Sequence, residues 1–396
     1  MATVVVIGRN YTSRLGMIRG VGRAGHQVYV ICTSKSANSG IDKLSRYVYG
    51  YYTAKEPNRT ALIETLFLIR KKETGSIVII PVDDYAASTI DANIDVLKGN
   101  FLFPNINMEQ GAINKLMDKN VQKQLAIKAG LNVAEGWTIE IQNGKYTIPA
   151  DITFPCFPKP QVSFLGNKEC MRKCSTEQEL CQVLDKIAAV RDCPILIEQY
   201  LEIEKEYAAL GFCNKDLAII PAAIYLLEQG HGSHRGVTKI GQLIPAHEIS
   251  GFFNRFQALI SGSGLIGLFD VDMYESQGKI YFNELNLRFG ASGYAIINIG
   301  LNLPDLMIQS LLGEQSSAIE ANNAEVSPFL FVNEKVNYDD YLFGYYDWKE
   351  YKRINRLANF TFIKDDDDPR PYTKYMAQVY LQRIKNSIKK IIRRHG

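Results

Sequence analysis

GKIYFNELNLRFGASGYAIINIGLNLP, residues 278–304, is the stretch that decides the fold. Its pattern predicts a strand, then a turn rich in small residues, then the start of a helix. Because strand side chains alternate between two faces, one face is predicted to carry Ile280, Phe282, Glu284, Asn286 and Arg288. An acid, an amide and a guanidinium on one face are costly to bury unless a polar ligand lies there. They offer oxygen ligands for a hard cation and a planar fork for phosphate or carboxylate.

A second acidic strand lies just upstream, in LIGLFDVDMY, residues 265–274. A short polar turn separates the two strands, so they are predicted to pair as a hairpin. Asp270 and Asp272 share a face, and alternation alone does not choose between them. Carboxylates crowded on one hairpin face repel each other unless a cation is bound. A polar face turned to water, or a salt bridge to Arg288, is the alternative, but the flanking apolar runs favour a buried site.

The hairpin resembles the C-terminal part of the ATP-grasp fold, which is shared by biotin carboxylase, carbamoyl-phosphate synthetase, D-alanine–D-alanine ligase and D-aspartate ligase. In that family an acidic residue or glutamine on one strand, and a Glu-x-Asn-x-Arg run on the next, bind magnesium and the nucleotide phosphates. Glu284, Asn286 and Arg288 match that run. Asp272 has the better offset from Glu284 and is the predicted first metal ligand, with Asp270 in reserve. The resemblance implies ATP and Mg²⁺ as cofactors, with Mn²⁺ as a substitute.

The first hundred residues alternate strand and helix patterns, which predicts a parallel α/β domain with right-handed connections. The predicted elements are strands 2–8, 27–33 and 76–84 and helices 12–26 and 59–73. Parallel sheets bind ligands at the C-terminal ends of their strands, where Arg9, Asp83 and Asp84 fall. These residues could contact substrate, although ordinary loop polarity explains them equally well. The turn after the first strand lacks the full glycine set of a dinucleotide site.

Two lysines match basic residues that contact the nucleotide phosphates in the family. Lys119 follows the first helix of an entry segment, 107–137, and Lys159 lies between prolines in FPCFPKP, 154–160. The alternative for Lys119 is an ordinary helix lysine in water. Family members usually follow the second lysine with a glycine- and serine-rich loop, whereas residues 161–175 contain one glycine. The candidates to replace the phosphate contacts of that loop are Ser163, Asn167 and Lys168.

Further nucleotide contacts are implied by the resemblance. CPILIEQYLE, 193–202, matches the segment that reads the adenine edge, and a nearby glutamate commonly holds the ribose. The implied residues are Glu198, Tyr200 and Leu201 for adenine and Glu206 for ribose. Lys239, before a glycine and a later proline, loosely matches a phosphate-binding lysine of D-alanine-type ligases, with Arg235 beside it. Histidines 231 and 234 lie among glycines, which favours a loop over a metal site.

The segment after Gly313 differs in composition from the rest. Residues 314–325 resemble a polar linker, and the acidic run 365–368 is predicted to be a solvated loop. The final helix is amphipathic and ends with the basic residues Lys389, Lys390, Arg393 and Arg394. That end either contacts an anionic membrane surface or merely favours the helix dipole and solubility. The tail also resembles D-aspartate ligase-like and other carboxylate–amine ligases.

Composition limits the classes of protein. The chain has 396 residues, 46% of them hydrophobic, which is enough to bury a large core. A net charge of +3 gives no strong field for nucleic acid. No apolar run is long enough for a transmembrane helix, the N-terminus does not resemble a signal peptide, and the scattered cysteines favour reduced thiols. We therefore expect a cytoplasmic protein.

These observations predict an α/β and α+β protein of three parts. They are an N-terminal parallel α/β domain, 1–106, an ATP-grasp domain of two α+β subdomains, 107–313, and a C-terminal extension, 314–396. A small lid subdomain is expected over about 120–197. The sequence is also compatible with a homodimer.

The predicted function is ATP-dependent ligation. A substrate carboxylate would be activated as an acyl phosphate and joined to an amine of an amino acid or of a cell-wall or peptide precursor. Arg288 would stabilise charge on the reacting oxygens, Lys239 would steady the phosphates, and the segment Ala291–Gly293 would hold the carboxylate or its phosphate unless Ser292 is a simple N-cap. A catalytically inactive ATP-binding regulator and a dinucleotide-dependent oxidoreductase are the alternatives.

Overall fold

The computed structural model describes residues 1–34, 40–162, 171–214, 218–234, 236–249, 252–314 and 328–395. Several predictions lie outside the described residues: the loop candidates Ser163, Asn167 and Lys168, Arg235, and almost all of the polar linker. Among the described residues, every helix is too short or too polar to span a lipid bilayer.

A four-stranded parallel sheet forms the N-terminal domain, with strand order β3-β2-β1-β4. The strands are β1 (Thr3–Gly8), β2 (Gln27–Cys32), β3 (Val48–Thr53) and β4 (Ile77–Pro81). The helices are α1 (Tyr11–Arg23), α2 (Arg59–Arg70), α3 (Asp84–Asp91) and α4 (Ile94–Leu97). Alternate residues of β1 belong to different hydrophobic clusters, so both of its faces are buried and its sequence is continuously apolar. The predicted α/β domain is confirmed, and β3 is an additional, partly exposed edge strand.

An entry segment connects this domain to the rest of the chain. Its elements are β5 (Asn105–Ile106), α5 (Ala112–Leu116), α6 (Lys119–Lys128) and β6 (Asn132–Val133). Asp118 caps α6, since its side chain accepts a hydrogen bond from the backbone of Asn120, so Lys119 begins the helix. This capping places the Lys119 side chain on the first turn, at the end of the helix where anions are favoured.

A small antiparallel sheet follows, with strand order β7-β9-β8. It consists of β7 (Gly136–Glu140), β8 (Cys156–Pro160) and β9 (Pro194–Gln199), and α7 (Glu177–Ala188) packs on it. Leu180, Val183 and Leu184 form the buried face of α7, as the spacing of three and four residues predicts. We call this sheet and helix the small sheet subdomain; it carries Lys159 and Glu198.

A large mixed sheet forms the centre of the protein. Its strand order is β16-β15-β12-β11-β10-β13-β14-β6, with β5 also paired to β13. The strands are β10 (Lys205–Cys213), β11 (Ala218–Gln229), β12 (Thr238–Pro245), β13 (Leu265–Ser276), β14 (Lys279–Asn286), β15 (Phe329–Val332) and β16 (Phe360–Thr361). The helices α8 (Phe253–Ser263), α9 (Gly293–Asn298) and α10 (Leu303–Leu311) pack on it. The predicted hairpin is confirmed as the antiparallel pair β13–β14.

One detail of the hairpin prediction is wrong. Ile280 and Phe282 do not share a face with Glu284, because a bulge at Asn283 inserts an extra residue into β14 between the partners of Asp272 and Met273. Phe282 therefore packs into the apolar cluster with Leu285, and Ile280 contacts the same cluster. Strict alternation holds only from Glu284 onward, so the polar face is shorter than predicted.

The C-terminal segment contacts both the large mixed sheet and the N-terminal domain. Strand β15 pairs with β12, and the helices α11 (Glu334–Leu342), α12 (Trp348–Leu357) and α13 (Pro369–His395) follow. The prediction of a solvated acidic loop is wrong for Asp365 and Asp368, because their side chains are 5% and 1% exposed. Asp368 accepts a hydrogen bond from buried Arg19 of α1 at 3.1 Å. Asp366 and Asp367 of the same run are exposed.

Candidate functional site

The polar face of the hairpin brings one acid–acid pair and one acid–amide pair together. Asp272 lies opposite Glu284, and Asp270 lies opposite Asn286. Asn286 Nδ2 donates a hydrogen bond to Asp272 Oδ2 at 3.1 Å. This register agrees with the choice of Asp272 by its offset from Glu284, and it also places Asp270 in the same group.

The carboxylates of this face are electrostatically strained. Burial raises the pKa of Asp270 to about 6, although Arg288 opposes the rise. Burial also raises the pKa of Asp272 well above its usual range, and the nearby carboxylates of Asp270 and Glu284 add to the rise. Asp270 Oδ1 is buried and accepts no hydrogen bond from the described residues. A buried acceptor without a donor is costly, so a cation or donor from a ligand would stabilise this face.

Arg288 connects the hairpin to the N-terminal domain. Its Nε lies 2.9 Å from Asp84 Oδ1, at the start of α3, and its Nη2 donates to Asn286 Oδ1 at 3.1 Å. A Cβ added at Gly290 would lie 3.1 Å from Asp270 Oδ2 and 3.4 Å from Arg288 Nη1. A side chain at position 290 would therefore crowd both charged groups, and glycine allows them to pack closely against the backbone.

Lys119 and Lys159 both contact residues of the hairpin strand β14, and their phosphate roles stay predictions. Lys119 is buried, with 5% of its surface exposed, and its Nζ lies 2.9 Å from Glu284 Oε1. Lys159 Nζ donates to Asn283 Oδ1 at 3.1 Å, so the bulge residue joins the small sheet subdomain to the large sheet. Gln122 fixes the strand directly after these contacts, because its side chain hydrogen-bonds both the N–H and the carbonyl of Leu285.

Glu198 lies between two lysines. Its Oε2 is 2.6 Å from Lys159 Nζ, and its Oε1 is 3.2 Å from Lys123 Nζ. Burial opposes ionisation of Glu198, but the two ammonium groups hold its pKa below the usual range. Sequence reasoning missed Lys123, although it lies four residues after Lys119 and so on the same face of α6.

The other adenine candidates lie at the end of β9. The Tyr200 N–H donates to the Pro155 carbonyl at 2.9 Å, and the ring of Tyr200 faces Lys173 Nζ at 4.1 Å from its centroid. Leu201 follows in the connection to β10 and is partly exposed. The backbone at Tyr200 is therefore already engaged, and the adenine roles of Glu198, Tyr200 and Leu201 stay predictions.

Glu206, the ribose candidate, is held by a glutamine that sequence reasoning missed. Gln229 Nε2 lies 2.7 Å from both Glu206 Oε1 and Oε2, and Gln229 Oε1 accepts the N–H of Gly236 at 3.1 Å. Burial raises the pKa of Glu206, which the hydrogen bond from Gln229 partly offsets. The two glutamine contacts join β10, β11 and the following loop, which no local sequence signal indicates.

Lys239 lies in a different ionic cluster. It is fully buried, and its Nζ lies 2.5 Å from Glu228 Oε1 and 3.0 Å from Asp340 Oδ2 of α11. His231 Nδ1 approaches the same Asp340 oxygen at 2.9 Å, so the loop histidine joins this cluster. The structure thus brings Lys239 to the C-terminal segment rather than to the acidic hairpin, and its phosphate role stays a prediction.

The substrate candidates near β1 and β4 contact each other. The Arg9 N–H donates to Asp83 Oδ2 at 2.6 Å, and Arg9 Nε lies 3.2 Å from Glu56 Oε1. Asp83 also caps α3 by accepting from Ala86. At α9, Ser292 occupies the N-cap position but makes no capping hydrogen bond with its side chain, and the anion-binding role of residues 291–293 stays a prediction.

The donor set of the hairpin fits a magnesium ion. Mg²⁺ usually binds one or two protein carboxylates and completes its octahedron with water and substrate phosphates. Asp272, Glu284 and Asn286 offer two carboxylates and an amide oxygen, and buried Asp270 Oδ1 has unused acceptor capacity. The described residues contain no group of three His, Cys, Asp or Glu side chains positioned to hold a metal alone. An ion here would therefore need oxygens from water or phosphate.

Sequence comparison finds distant relatives. No protein-family model matches the chain. It is 24% identical over 230 residues to a carbamoyl phosphate synthase large chain from Gemmatimonas aurantiaca, covering 57% of this chain and 21% of that protein. It is 23% identical over 239 residues to a formate-dependent phosphoribosylglycinamide formyltransferase from Nitratiruptor sp., covering 55% of this chain and 56% of that protein. The chain thus spans about a fifth of the first relative and about half of the second.

Solved structures are similar over most of the chain. The L-amino acid ligase from Bacillus licheniformis matches with a TM-score of 0.64 and 13% identity, covering 83% of this chain and 79% of that one. An N5-carboxyaminoimidazole ribonucleotide synthetase solved with ADP matches with a TM-score of 0.63 and 18% identity, covering 84% of this chain and 81% of that one. The chain has an ATP-grasp fold preceded by a parallel α/β domain, so the predicted fold is confirmed.

Proposed function

We propose that this protein is an ATP-dependent carboxylate–amine ligase. The observation that carries the proposal is the convergence of Asp270, Asp272, Glu284 and Arg288 with Lys119 at one hairpin face. Carboxylates whose charges destabilise one another, flanked by a lysine and an arginine, suit a bound metal–triphosphate better than an empty polar surface. The similarity of the fold to an L-amino acid ligase supports the same reaction class.

Each charged group has a role in this proposal. Asp272, Glu284 and Asn286 would hold Mg²⁺, with Asp270 as the alternative to Asp272, and the ion would neutralise charge on the β- and γ-phosphates. Lys119 and Lys159 would bind phosphate oxygens and exchange their present carboxylate partners for them. Glu198 would then keep its ion pair with Lys123, beside the nucleotide.

The chemistry needs two displacements. The substrate carboxylate attacks the γ-phosphorus, and the bond between the γ-phosphorus and the bridging β-phosphate oxygen breaks. ADP is the leaving group, and the product of this step is an acyl phosphate. The amine then attacks the acyl carbon, the C–O bond breaks, and inorganic phosphate leaves while the amine proton passes to solvent. Arg288 would stabilise the oxyanion of the second step, and positioning with fixed charges supplies the rate enhancement.

The substrate carboxylate would lie near Arg288, whose guanidinium offers a planar fork to a carboxylate. We extend the proposal to an amino acid, or a cell-wall or peptide precursor, as the amine, in line with D-aspartate ligase-like enzymes. The test is release of ADP and phosphate from Mg·ATP in the presence of pooled carboxylic acids and amino acids. Turnover that requires both pools supports ligation. Nucleotide binding without turnover against any pool would instead favour an inactive ATP-binding regulator.

A further inference from the structure

The last helix exposes apolar side chains at helical spacing. α13 packs on the protein through Tyr375 and Val379, which are 3% and 1% exposed. Farther along, Leu381, Ile384 and Ile388 are 58%, 56% and 51% exposed. Because they are separated by three and four residues, they form one stripe along the helix. Three large, solvent-exposed aliphatic side chains on one stripe indicate a surface that binds an apolar partner.

The same helix carries a concentrated positive charge. Residues 369–395 contain eight lysines and arginines and no aspartate or glutamate, whereas the whole chain has a net charge of +3. The rest of the chain is therefore net negative, and the helix is the basic part of the molecule. A favourable interaction with the helix dipole explains a few basic residues in the last turn. It explains neither Lys374 and Lys385 farther back nor the exposed isoleucines.

The apolar stripe and the positive charge of α13 together indicate which kind of partner it binds. A second copy of the chain would cover the stripe, but it would bring two helices of the same strong charge together. Nucleic acid would satisfy the charge and leave the isoleucines and Leu381 in water. An anionic lipid bilayer satisfies both, because its headgroups attract lysine and arginine while its acyl boundary accepts aliphatic side chains.

We propose that α13 is a peripheral membrane-binding helix that lies on an anionic bilayer surface. Leu381, Ile384 and Ile388 enter the acyl boundary, and Lys385 extends its stem along the apolar side while its ammonium group reaches the headgroups. Tyr380, which is 49% exposed and packs edge-on against Trp348, is of the residue type that favours the interface. The membrane contact is independent of the ligase proposal.

The experiment is co-sedimentation of the full chain with vesicles. Vesicles of phosphatidylglycerol and phosphatidylcholine are compared with vesicles of phosphatidylcholine alone, at low and at high salt. The wild type should bind the anionic vesicles and lose binding at high salt. The double substitution Ile384→Glu/Ile388→Glu should weaken binding about tenfold or more. Val190→Glu, at a position 72% exposed beyond α7, is the matched control and should bind as the wild type does.

A second pair of variants tests the charge. Lys385→Glu should weaken binding to anionic vesicles several-fold, whereas Lys145→Glu, at an exposed position in the connection between β7 and β8, should not. The proposal is overturned if the wild type does not bind anionic vesicles at low salt, or if it binds both vesicle types equally. It is also overturned if, without lipid, the chain self-associates through this face and Ile384→Glu/Ile388→Glu abolishes the association.

Discussion

Lys119 Nζ and Glu284 Oε1 lie 2.9 Å apart, and this ion pair joins the first turn of α6 to the acidic strand β14. The pair connects a residue of the entry segment to one 165 positions later in the chain. Both groups are predicted to contact the nucleotide, Lys119 through phosphate and Glu284 through the metal. The contact therefore shows that the two candidate ligands converge on one point of the fold.

Glu284→Gln should lower ATP turnover about 100-fold or more while leaving the fold intact. The amide keeps the shape and removes the charge, so a metal–triphosphate loses a carboxylate ligand. Turnover is followed as ADP release, and the unfolding midpoint checks the fold. Glu64→Gln, at an exposed position on α2, is the control and should match the wild type. Turnover close to wild type in Glu284→Gln would remove the metal assignment.

Glu198 gives a prediction about pH. Lys159 and Lys123 outweigh the cost of burial and hold the pKa of Glu198 below its usual range. The unfolded chain has the higher pKa, so ionised Glu198 stabilises the fold above about pH 4.3, and this contribution is lost as the pH falls. Glu198→Gln should lower the free energy of unfolding by about 3 kcal/mol near neutral pH, because two buried lysines lose their counter-charge.

Urea unfolding of wild type and Glu198→Gln at several pH values measures this difference. It should shrink steadily as the pH falls below about 4.3. Glu140→Gln, at an exposed position of β7 in the same small sheet, should differ little from wild type at any pH. A Glu198→Gln difference that grows on acidification would contradict the assigned direction of the pKa shift.

The sequence predicted the fold where its patterns are local. The apolar strands of the N-terminal domain and the hairpin carry alternating or continuous apolar runs that depend on few other contacts. The bulge at Asn283 was not predictable, because it depends on how β14 pairs with β13 and which side of the strand the core covers. A short apolar–polar pattern cannot reveal one inserted residue.

The residues of the candidate site also fall into two groups, those that a local motif indicates and those that only the fold brings together. Glu284, Asn286 and Arg288 were found because three residues of one motif are close in sequence. Gln229 and the Arg288 contact with Asp84 join separate elements, and the chain gives no local signal for such pairs. The position of Lys239 depends on Asp340, 101 residues later, so its spacing from a glycine and a proline could not fix its surroundings.

Gln229 tests the ribose assignment of Glu206. Gln229→Leu keeps the approximate volume and removes two 2.7 Å contacts to the carboxylate, which should then sample other positions. If Glu206 holds the ribose, the KM for ATP should rise about tenfold while kcat changes little, since the loss concerns binding rather than the reacting groups.

Steady-state kinetics at varied ATP and direct nucleotide binding both measure this effect. Gln178→Leu, at an exposed position of α7, is the matched control. A fall in kcat with an unchanged KM for ATP would show that Gln229 acts on the chemical step instead, and would argue against the ribose role of Glu206.

Asp368 gives the clearest stability prediction. Its carboxylate is 1% exposed and accepts a hydrogen bond from Arg19 Nε at 3.1 Å, while the same guanidinium donates to the carbonyls of Phe362 and Ile363. Asp368→Ala removes the nearer carboxylate and leaves Arg19 only the longer contact with Asp365 Oδ2 at 3.7 Å, so it should lower the free energy of unfolding by about 3 kcal/mol. Asp367, the preceding residue, has a side chain that is 71% exposed, so Asp367→Ala should change stability by no more than about 0.5 kcal/mol. Chemical denaturation of both variants compares two acids of one run. Equal effects would show that the C-terminal segment does not depend on this buried contact with α1.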